Sequence, residues 1–503
     1  MRNLTLTLLF AAGTILHAEE LRQDLLSFSN GDQLHGRLSG ISDGSSIQWK
    51  RDDVGGEVKF KSSELRRIIL RGGRPAKSIE GFSHIGTSNG DRIPGVVREM
   101  DDKWLVLETK FGGIIEVPRN QVGLIAPNPL GGRVLYHGPH DPEEWLMIDH
   151  QHPEGIPALR VDEKTKMPLW RHSGSAWYWQ NKETGTALVK KAGMPDRAVL
   201  RFDIAWKNRL SCAIAFHSDF KKAKPAVANE VENDVQAQER MIMAGRVMNS
   251  ASLPDIFGDS YVLQLYSNYV MLHRTSFDAD GRPRLDRVQT TNSSMRLGDS
   301  GTATVELRCN RPTGEISLFV NGEFVVQWSE VAAGENEAGG YAGKGDGFGF
   351  LVQSEDSPVR ISEVVVAEWN GMPDAARSLQ VDDADIVLLS NGTDRFSGKV
   401  TGLVQGKLKL EGRYGDFEFP LSEIAEVRFA KSRLAEAPIA PSAEIKTRLH
   451  PLGGISGRPL SGDAGNMRVM NGIIGEININ LDYAVMLEFQ QTESFLDDWD
   501  AEF

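Results

Sequence analysis

Aromatic side chains that could bind a sugar are concentrated in one short stretch of the sequence. Trp170 is followed by Trp177, Tyr178 and Trp179. Flat aromatic rings offer a large contact area at a low cost in ordering, so they can stack on sugar rings. Trp177 and Trp179 are two residues apart and share one face of a strand, so they could equally fill a protein core. These four residues are the candidate ligand-binding residues, and core packing is the alternative interpretation.

Histidines form a second concentration of reactive groups. Four of the eleven histidines lie within sixteen residues, at His137, His140, His150 and His152. Imidazole and carboxylate ligands can together hold zinc or a similar ion. Their spacing matches no defined metal site, and the prolines among them indicate a loop. We therefore predict a polar loop and no cofactor, and whether this cluster binds metal stays open.

Paired carboxylates, which sugar hydrolysis requires, are not evident in the sequence. Such enzymes use two acidic residues as acid, base or nucleophile on either side of the bond that is cleaved. Asp203, Glu363 and Glu368 lie in or near strand-like segments but form no spaced pair. We predict no catalytic residues and lean against an enzyme. Carboxylates contributed by different strands would still allow one.

The segment that must position these residues, 135–370, has the pattern of short strands. Apolar residues alternate with polar ones over many short stretches, for example at Leu200, Phe202, Ile204, Trp206, Val305, Leu307, Phe348 and Phe350. This period of two predicts an antiparallel two-sheet sandwich. A charged insertion at 221–258 interrupts it, and a helix could form there from Asn229 to Met248. Cys212 and Cys309 fall on apolar faces, where they could pair or remain buried thiols.

One hairpin carries a resemblance to a known family. Residues 313–326 read TGEISLFVNGEFVV, in which an Asn-Gly turn joins two strands. The hairpin resembles that of the concanavalin A-like (laminin G-like) jelly-roll superfamily. Residues 345–350 and 358–364 resemble the closing strands of that superfamily, including its secreted sugar-hydrolase-like branch. The resemblance implies a jelly-roll fold and carbohydrate as the ligand class.

A repeated pattern occurs on both sides of the sandwich. Asn30-Gly31, Asn89-Gly90 and Asn391-Gly392 each end an apolar stretch and precede a further glycine, at Gly36, Gly95 and Gly398. We expect small β-barrels at 22–75, 80–130 and 380–432, and a degenerate fourth copy at 445–490. The pattern resembles Sm-like and SH3-like barrels, although their RNA binding is not carried over. We expect copy one to pair with copy two, and copy three with copy four, because each buries little alone.

The two ends of the chain indicate export and an acidic tail. Arg2 precedes an uncharged, mostly apolar stretch at 4–16, and Leu16-His17-Ala18 is an acceptable cleavage site. Residues 1–18 are therefore predicted to be a signal peptide, and the protein to be periplasmic or secreted. No later apolar run is long enough to span a bilayer, so no integral membrane segment is expected after cleavage. Residues 491–503 form the acidic tail.

Composition narrows the function further. The 503 residues carry 56 basic and 69 acidic side chains, a net charge of −13, which argues against nucleic acid as a partner. The predicted fold class is all-β, with a central antiparallel jelly-roll β-sandwich flanked by small SH3/Sm-like barrels. The predicted function is non-catalytic recognition or scaffolding by an exported protein that binds glycans or cell-envelope partners. A sugar hydrolase or lyase, and a purely structural envelope assembly protein, are the alternatives.

Overall fold

The computed structural model describes most of the chain. The described residues are 22–42, 46–158, 169–222, 253–288, 295–330, 340–371, 383–439 and 443–489. The predicted signal peptide at 1–18, the tail at 491–503 and the predicted helix from Asn229 to Met248 lie outside them. The fold is all-β with antiparallel sheets, as predicted. Within these ranges, no helix has the length and apolar character needed to cross a bilayer.

Two small units come first along the chain, and we name them repeat 1 and repeat 2. Repeat 1 contains β1 (Asp24–Phe28), β2 (Gln33–Ser42), β3 (Ser46–Lys50), β4 (Glu57–Lys61) and β5 (Leu65–Ile69). Repeat 2 contains β6 (His84–Thr87), β7 (Arg92–Pro94), β8 (Val96–Met100), β9 (Trp104–Thr109), β10 (Gly113–Pro118) and β11 (Val122–Ala126).

The sandwich follows and supplies the next sixteen strands. They are β12 (Val134–Gly138), β13 (Leu146–Ile148), β14 (Ile156–Pro157), β15 (Trp170–Ser173), β16 (Ala176–Trp179), β17 (Ala187–Lys190), β18 (Arg197–Trp206), β19 (Ser211–Ser218), β20 (Ser260–Tyr266), β21 (Val270–Phe277), β22 (Pro283–Arg287), β23 (Gly301–Asn310), β24 (Glu315–Val320), β25 (Glu323–Ser329), β26 (Gly347–Val352) and β27 (Val359–Glu368). A short α-helix, α1 (Leu253–Phe257), precedes β20.

Two further small units, repeat 3 and repeat 4, end the described chain. Repeat 3 contains β28 (Asp385–Leu389), β29 (Arg395–Val404), β30 (Lys407–Gly412), β31 (Gly415–Pro420) and β32 (Ile424–Arg428). Repeat 4 contains β33 (Ile445–Leu449), β34 (Gly454–Asp463), β35 (Asn466–Asn471), β36 (Gly475–Asn480) and β37 (Ala484–Glu488). A 3₁₀ turn precedes the last strand of each unit, at Ser62–Glu64, Arg119–Gln121, Leu421–Glu423 and Leu481–Tyr483.

The four repeats have one strand order. In repeat 1, β1 pairs with both β2 and β5, and β3 pairs with both β2 and β4. The equivalent strands pair in the same way in the other three, with β7 and β8 together replacing the second strand in repeat 2. In three of the repeats, a glycine of the second strand lies close to the third strand. A Cβ at Gly36, Gly95 or Gly398 would lie under 3.0 Å from a backbone oxygen of the third strand.

The Asn-Gly pairs of the repeats form longer turns than a two-residue hairpin. Gly31, Gly90 and Gly392 have positive φ angles, whereas the preceding asparagines do not. Each asparagine side-chain oxygen instead accepts a hydrogen bond from a backbone N–H two residues later, for example Asp32 at 3.0 Å. The side chain therefore holds the turn, as Asx turns do.

The expected pairing of neighbouring copies is wrong. Repeat 1 pairs with repeat 4 through β5 and β37, and repeat 2 pairs with repeat 3 through β11 and β32. The side-chain contacts of the two pairs correspond. Arg71 donates to the carbonyls of Leu481 and Ala484, and Asn128 donates to the equivalent carbonyls in repeat 3. The two ends of the described chain therefore meet, with the sandwich inserted between repeats 2 and 3.

The sandwich consists of two sheets that face each other. The first sheet has the order β15-β16-β27-β18-β23-β24-β25, with β12 also on β27, and the second has the order β14-β13-β17-β26-β19-β20-β21-β22. Both contribute side chains to one core. The predicted hairpin forms β24 and β25, and both Asn321 and Gly322 have positive φ. Cys212 and Cys309 are free thiols in this core, on opposite sheets.

Candidate functional site

The predicted ligand-binding tryptophans lie in the sandwich core. Trp170, Trp177 and Trp179 are each at most 2% exposed. Trp177 packs edge to face against Trp145, and Trp170 lies beside Trp179 across the β15–β16 pair. Core packing, the alternative interpretation, therefore describes these three side chains, and only Tyr178 is partly exposed. The sequence could not separate the two interpretations, because both require the same alternation along a strand.

The outer face of the first sheet is covered by repeats. We call it the docked face. Leu25 and Ile69 of repeat 1 and Met486 of repeat 4 pack there against side chains from the sandwich, namely Val199, Val365, Ala367 and Trp369. This contact is apolar and buried, so the part of the docked face that β18 and β27 form is closed to a large ligand.

The outer face of the second sheet, which we call the open face, carries a groove beside α1. The helix packs on this face through Ile256 and Phe257. The groove next to it has a volume of about 400 Å³ and is lined by Thr184, Gly185, Leu253, Pro254, Gln264, Pro283, Arg284, Leu285, Leu351, Val352 and Gln353. A large ligand can reach this groove from solvent, since Arg284 and Leu285 on β22 are exposed.

Two amides and one guanidinium supply the polar groups of the groove. Gln264 on β20 donates from Nε2 to Oε1 of Gln353 at 3.2 Å, across the intervening strand β19. This bond fixes both side chains and leaves the carbonyl of Gln264 and the amino group of Gln353 for a ligand. Arg284 adds a positive charge. Among the described residues that line the groove, none is acidic.

The carboxylates considered from the sequence lie on the first sheet and are already engaged. Asp203 accepts a hydrogen bond from the Thr304 hydroxyl at 2.7 Å, and Glu368 forms an ion pair with Arg133. Glu363 accepts from Arg67 of repeat 1 at 3.0 Å. The structure therefore brings none of the three into the groove.

The four clustered histidines do not come together. His150 is exposed, and Nδ1 of His152 lies 2.9 Å from Oδ1 of Asp149. His137 and His140 are neighbours, with ring centroids 5.0 Å apart. No group of three metal-binding side chains occurs within the described ranges.

His137 and His140 instead line a cavity of about 220 Å³ where repeat 1, repeat 4 and the sandwich meet. Glu363 lies beside it, with Oε2 at 3.4 Å from Nε2 of His137. The φ angle of Glu363 is 48°, in the left-handed region, at the point where β27 changes its neighbour from β16 to β12. Sequence reasoning named His137, His140 and Glu363 but missed that they meet Arg67, because Arg67 and Glu363 are 296 residues apart.

The pKa directions in the cluster follow from burial and charge. Burial opposes ionisation of Glu363, but Arg67 and His137 hold the pKa of this carboxyl well below its usual range. Burial lowers the pKa of His140 well below 6.5, and the nearby His137 and Arg67 lower it further. The ion pair is therefore charged while His140 is neutral at neutral pH.

Comparison with known proteins identifies no family. No family model matches the chain, and no curated protein is significantly similar to it. Similar solved structures include the carbohydrate-binding module CBM66 from Bacillus subtilis, with 11% identity over 40% of this chain and 92% of that chain and a TM-score of 0.23. A protein of unknown function with a galectin-like fold, also from Bacillus subtilis, has 12% identity over 47% and 98% and a TM-score of 0.29. Caenorhabditis elegans galectin LEC-6 has 13% identity over 38% and 94% and a TM-score of 0.20. At these values the similarities support no conclusion about the ligand.

Proposed function

We propose that the protein is an exported, non-catalytic carbohydrate-binding protein whose site is the groove on the open face. The single observation that carries this proposal is the lining of the groove. It combines a fixed pair of amides, Gln264 and Gln353, with an exposed guanidinium and apolar side chains, and its described lining contains no carboxylate.

The chemistry of this lining matches a sugar. Hydroxyl groups both donate and accept hydrogen bonds, and the two amides offer both a free acceptor and free donors. Leu285, which is exposed, provides apolar contact for the C–H face of a sugar ring. Arg284 can pair with a carboxylate or sulfate, so the site favours acidic glycans over neutral ones.

The signal peptide predicted at 1–18 supports an activity in the periplasm or outside the cell, where envelope glycans and envelope proteins are the available partners. In this proposal the repeats are SH3-like scaffolding units that hold the sandwich from the docked face. Scaffolding is the second candidate function, and the repeats that cover the docked face favour it.

Binding of the full mature chain to an array of neutral and acidic glycans tests the proposal. We expect binding to be weakened about tenfold by Gln264→Ala or Gln353→Ala, because each removes a hydrogen-bonding group worth about 1 kcal/mol or more. Arg284→Gln should weaken acidic glycans more than neutral ones. Gln327→Ala, an exposed glutamine on β25 of the first sheet, is the matched control and should bind normally.

A blank array would contradict carbohydrate binding and leave scaffolding as the function. Binding that all three groove variants retain would move the site elsewhere. Shortening of a bound glycan during incubation would contradict the non-catalytic assignment and favour the hydrolase or lyase alternative.

A further inference from the structure

Three histidines lie at the junction between repeat 1 and the sandwich. His137 is on β12, His140 follows that strand, and His172 is on β15 of the first sheet. The rings of His137 and His140 lie 5.0 Å apart, and that of His172 contacts Trp177 at 4.9 Å. Histidine is the side chain whose ordinary charge change falls between about pH 5 and pH 8.

The junction offers a protonated His140 no compensating partner. Neither ring nitrogen of His140 has measurable solvent exposure or a hydrogen-bond partner within the described residues. Burying a charge without a partner costs far more than burying a neutral ring, so protonation requires the junction to open.

Charged groups face these rings from every neighbouring element. His140 is faced by Arg67 of β5, Glu363 of β27, His137 of β12 and His172 of β15. His172 is faced by Asp141 and by His35 of β2, and its Nε2 lies 3.3 Å from the carbonyl of Pro139.

The acidic groups at the junction are already paired. Glu363 is bound by Arg67, and Asp141 lies 3.2 Å from Arg74. Each carboxylate therefore already balances a guanidinium charge.

The ring of His140 also packs against the turn that ends repeat 1. A Cβ on Gly73 would lie 2.8 Å from Cδ2 of His140, and Arg71, Gly72 and Gly73 all have left-handed backbone conformations. Arg71 in this turn donates to Leu481 and Ala484 of repeat 4 at 2.8 and 2.6 Å. Displacement of the ring would therefore disturb the turn and, through Arg71, the contact with repeat 4.

We propose that this junction is acid-sensitive, so that protonation of His140 and His172 releases repeats 1 and 4 from the docked face of the sandwich. The inference is independent of the proposed carbohydrate site, which lies on the opposite face.

The sign of the pH dependence follows from linkage. Burial lowers the pKa of His140 well below 6.5 and also lowers that of His172. A released junction returns both groups to a pKa near 6.5, so the docked state binds fewer protons than the released state. Docking is therefore most stable above about pH 6.5 and weakens as the pH falls below that value.

Hydrogen exchange of the full chain at about pH 7.5 and about pH 5.5, each corrected for the intrinsic pH dependence of exchange, tests the proposal. We expect loss of amide protection at the lower pH in β5, β12 and β37, while β19 in the sandwich core stays protected. The double variant His140→Gln/His172→Gln cannot gain these charges and should keep its protection at both values. His150→Gln changes an exposed histidine of the same region and should behave as the wild type.

Equal protection of the wild type at both pH values would overturn the proposal. So would simultaneous loss of protection in β19, since that reports global unfolding, or a double variant that responds as strongly as the wild type. Should the double variant not fold, the wild-type comparison of β5 with β19 decides alone, and His172→Gln should reduce the response.

Discussion

The two outer faces of the sandwich are used differently. The docked face is closed by apolar side chains of repeats 1 and 4, with Trp369 among the sandwich residues that they contact. The open face carries only the five-residue helix α1 among the described helices. Beside this helix lies a groove lined in part by Gln264, Gln353 and Arg284. Because the repeats bury the part of one face that β18 and β27 form, the opposite face is the one proposed to bind a large ligand. The difference separates the surface that holds the domains together from the surface that is proposed to recognise a ligand.

Replacing one buried aromatic side chain on each face should give the largest effects on the free energy of unfolding. Phe257 of α1 is fully buried on the open face, and Trp369 is 6% exposed on the docked face. Either change to Ala should lower the free energy of unfolding by about 3–5 kcal/mol, the usual cost of emptying an aromatic core site. Chemical denaturation checks the stabilities.

A measurement of glycan binding then distinguishes the Phe257 variant from the Trp369 variant. Phe257→Ala should also weaken binding, because Leu253 and Pro254 of the same helix line the groove, whereas Trp369→Ala should not. Equal loss of binding in both variants would show that the two faces are not independent.

Removing the ion pair between Arg67 and Glu363 at the docked face should have a smaller effect on the free energy of unfolding. Arg67→Ala leaves Glu363 without its main partner, at a cost of about 2 kcal/mol, since the Glu363 side chain is still 30% exposed. Arg67→Met combined with Glu363→Gln removes both charges and should be less destabilising than Arg67→Ala alone. Denaturation of both variants measures this, and a double variant that is the less stable of the two would be inconsistent with a desolvated pair.

The strand alternation and the turn residues were readable in the sequence because both are local. The hairpin around Asn321 and Gly322 and the close approach at Gly36 follow from short-range chemistry. Which repeat pairs with which could not be read in the same way. The last strand of each repeat is similarly apolar, so its own sequence does not indicate which repeat it pairs with.

The candidate site depended still more on distant contacts. Gln264 and Gln353 are 89 residues apart, and nothing in their local sequence indicates that they meet. Trp177 was ambiguous for a different reason, since its alternation fits a core and a sugar platform equally. His140 was visible as part of a cluster, but its significance depends on Arg67, which comes from repeat 1, and on Glu363, which comes from β27.

The next smaller effect is expected from the equivalent hydrogen bonds of Arg71 and Asn128, one in each pair of repeats. Arg71→Ala and Asn128→Ala each remove two hydrogen bonds to carbonyls around an equivalent 3₁₀ turn, and each should cost about 1–2 kcal/mol. Only the pair of repeats 1 and 4 supplies Leu25, Ile69 and Met486 to the docked face. Arg71→Ala should therefore also raise hydrogen exchange in β12 of the sandwich, and Asn128→Ala should not. The same exchange increase in both variants would contradict this difference.

The smallest effect is expected for alkylation of Cys212 and Cys309. Neither thiol should react in the folded protein. Burial raises the pKa of Cys212 and of Cys309 to about 12, so almost no thiolate exists near pH 8, and thiolate is the form that alkylating reagents attack. Cys212 belongs to the sheet of the open face and Cys309 to the sheet of the docked face, but both side chains lie in the one core. Both should become reactive together as denaturant unfolds the sandwich, which mass spectrometry of alkylated peptides can follow. Earlier labelling of Cys309 would mean that the first sheet separates before the second, so that the docked repeats do not stabilise their side of the core.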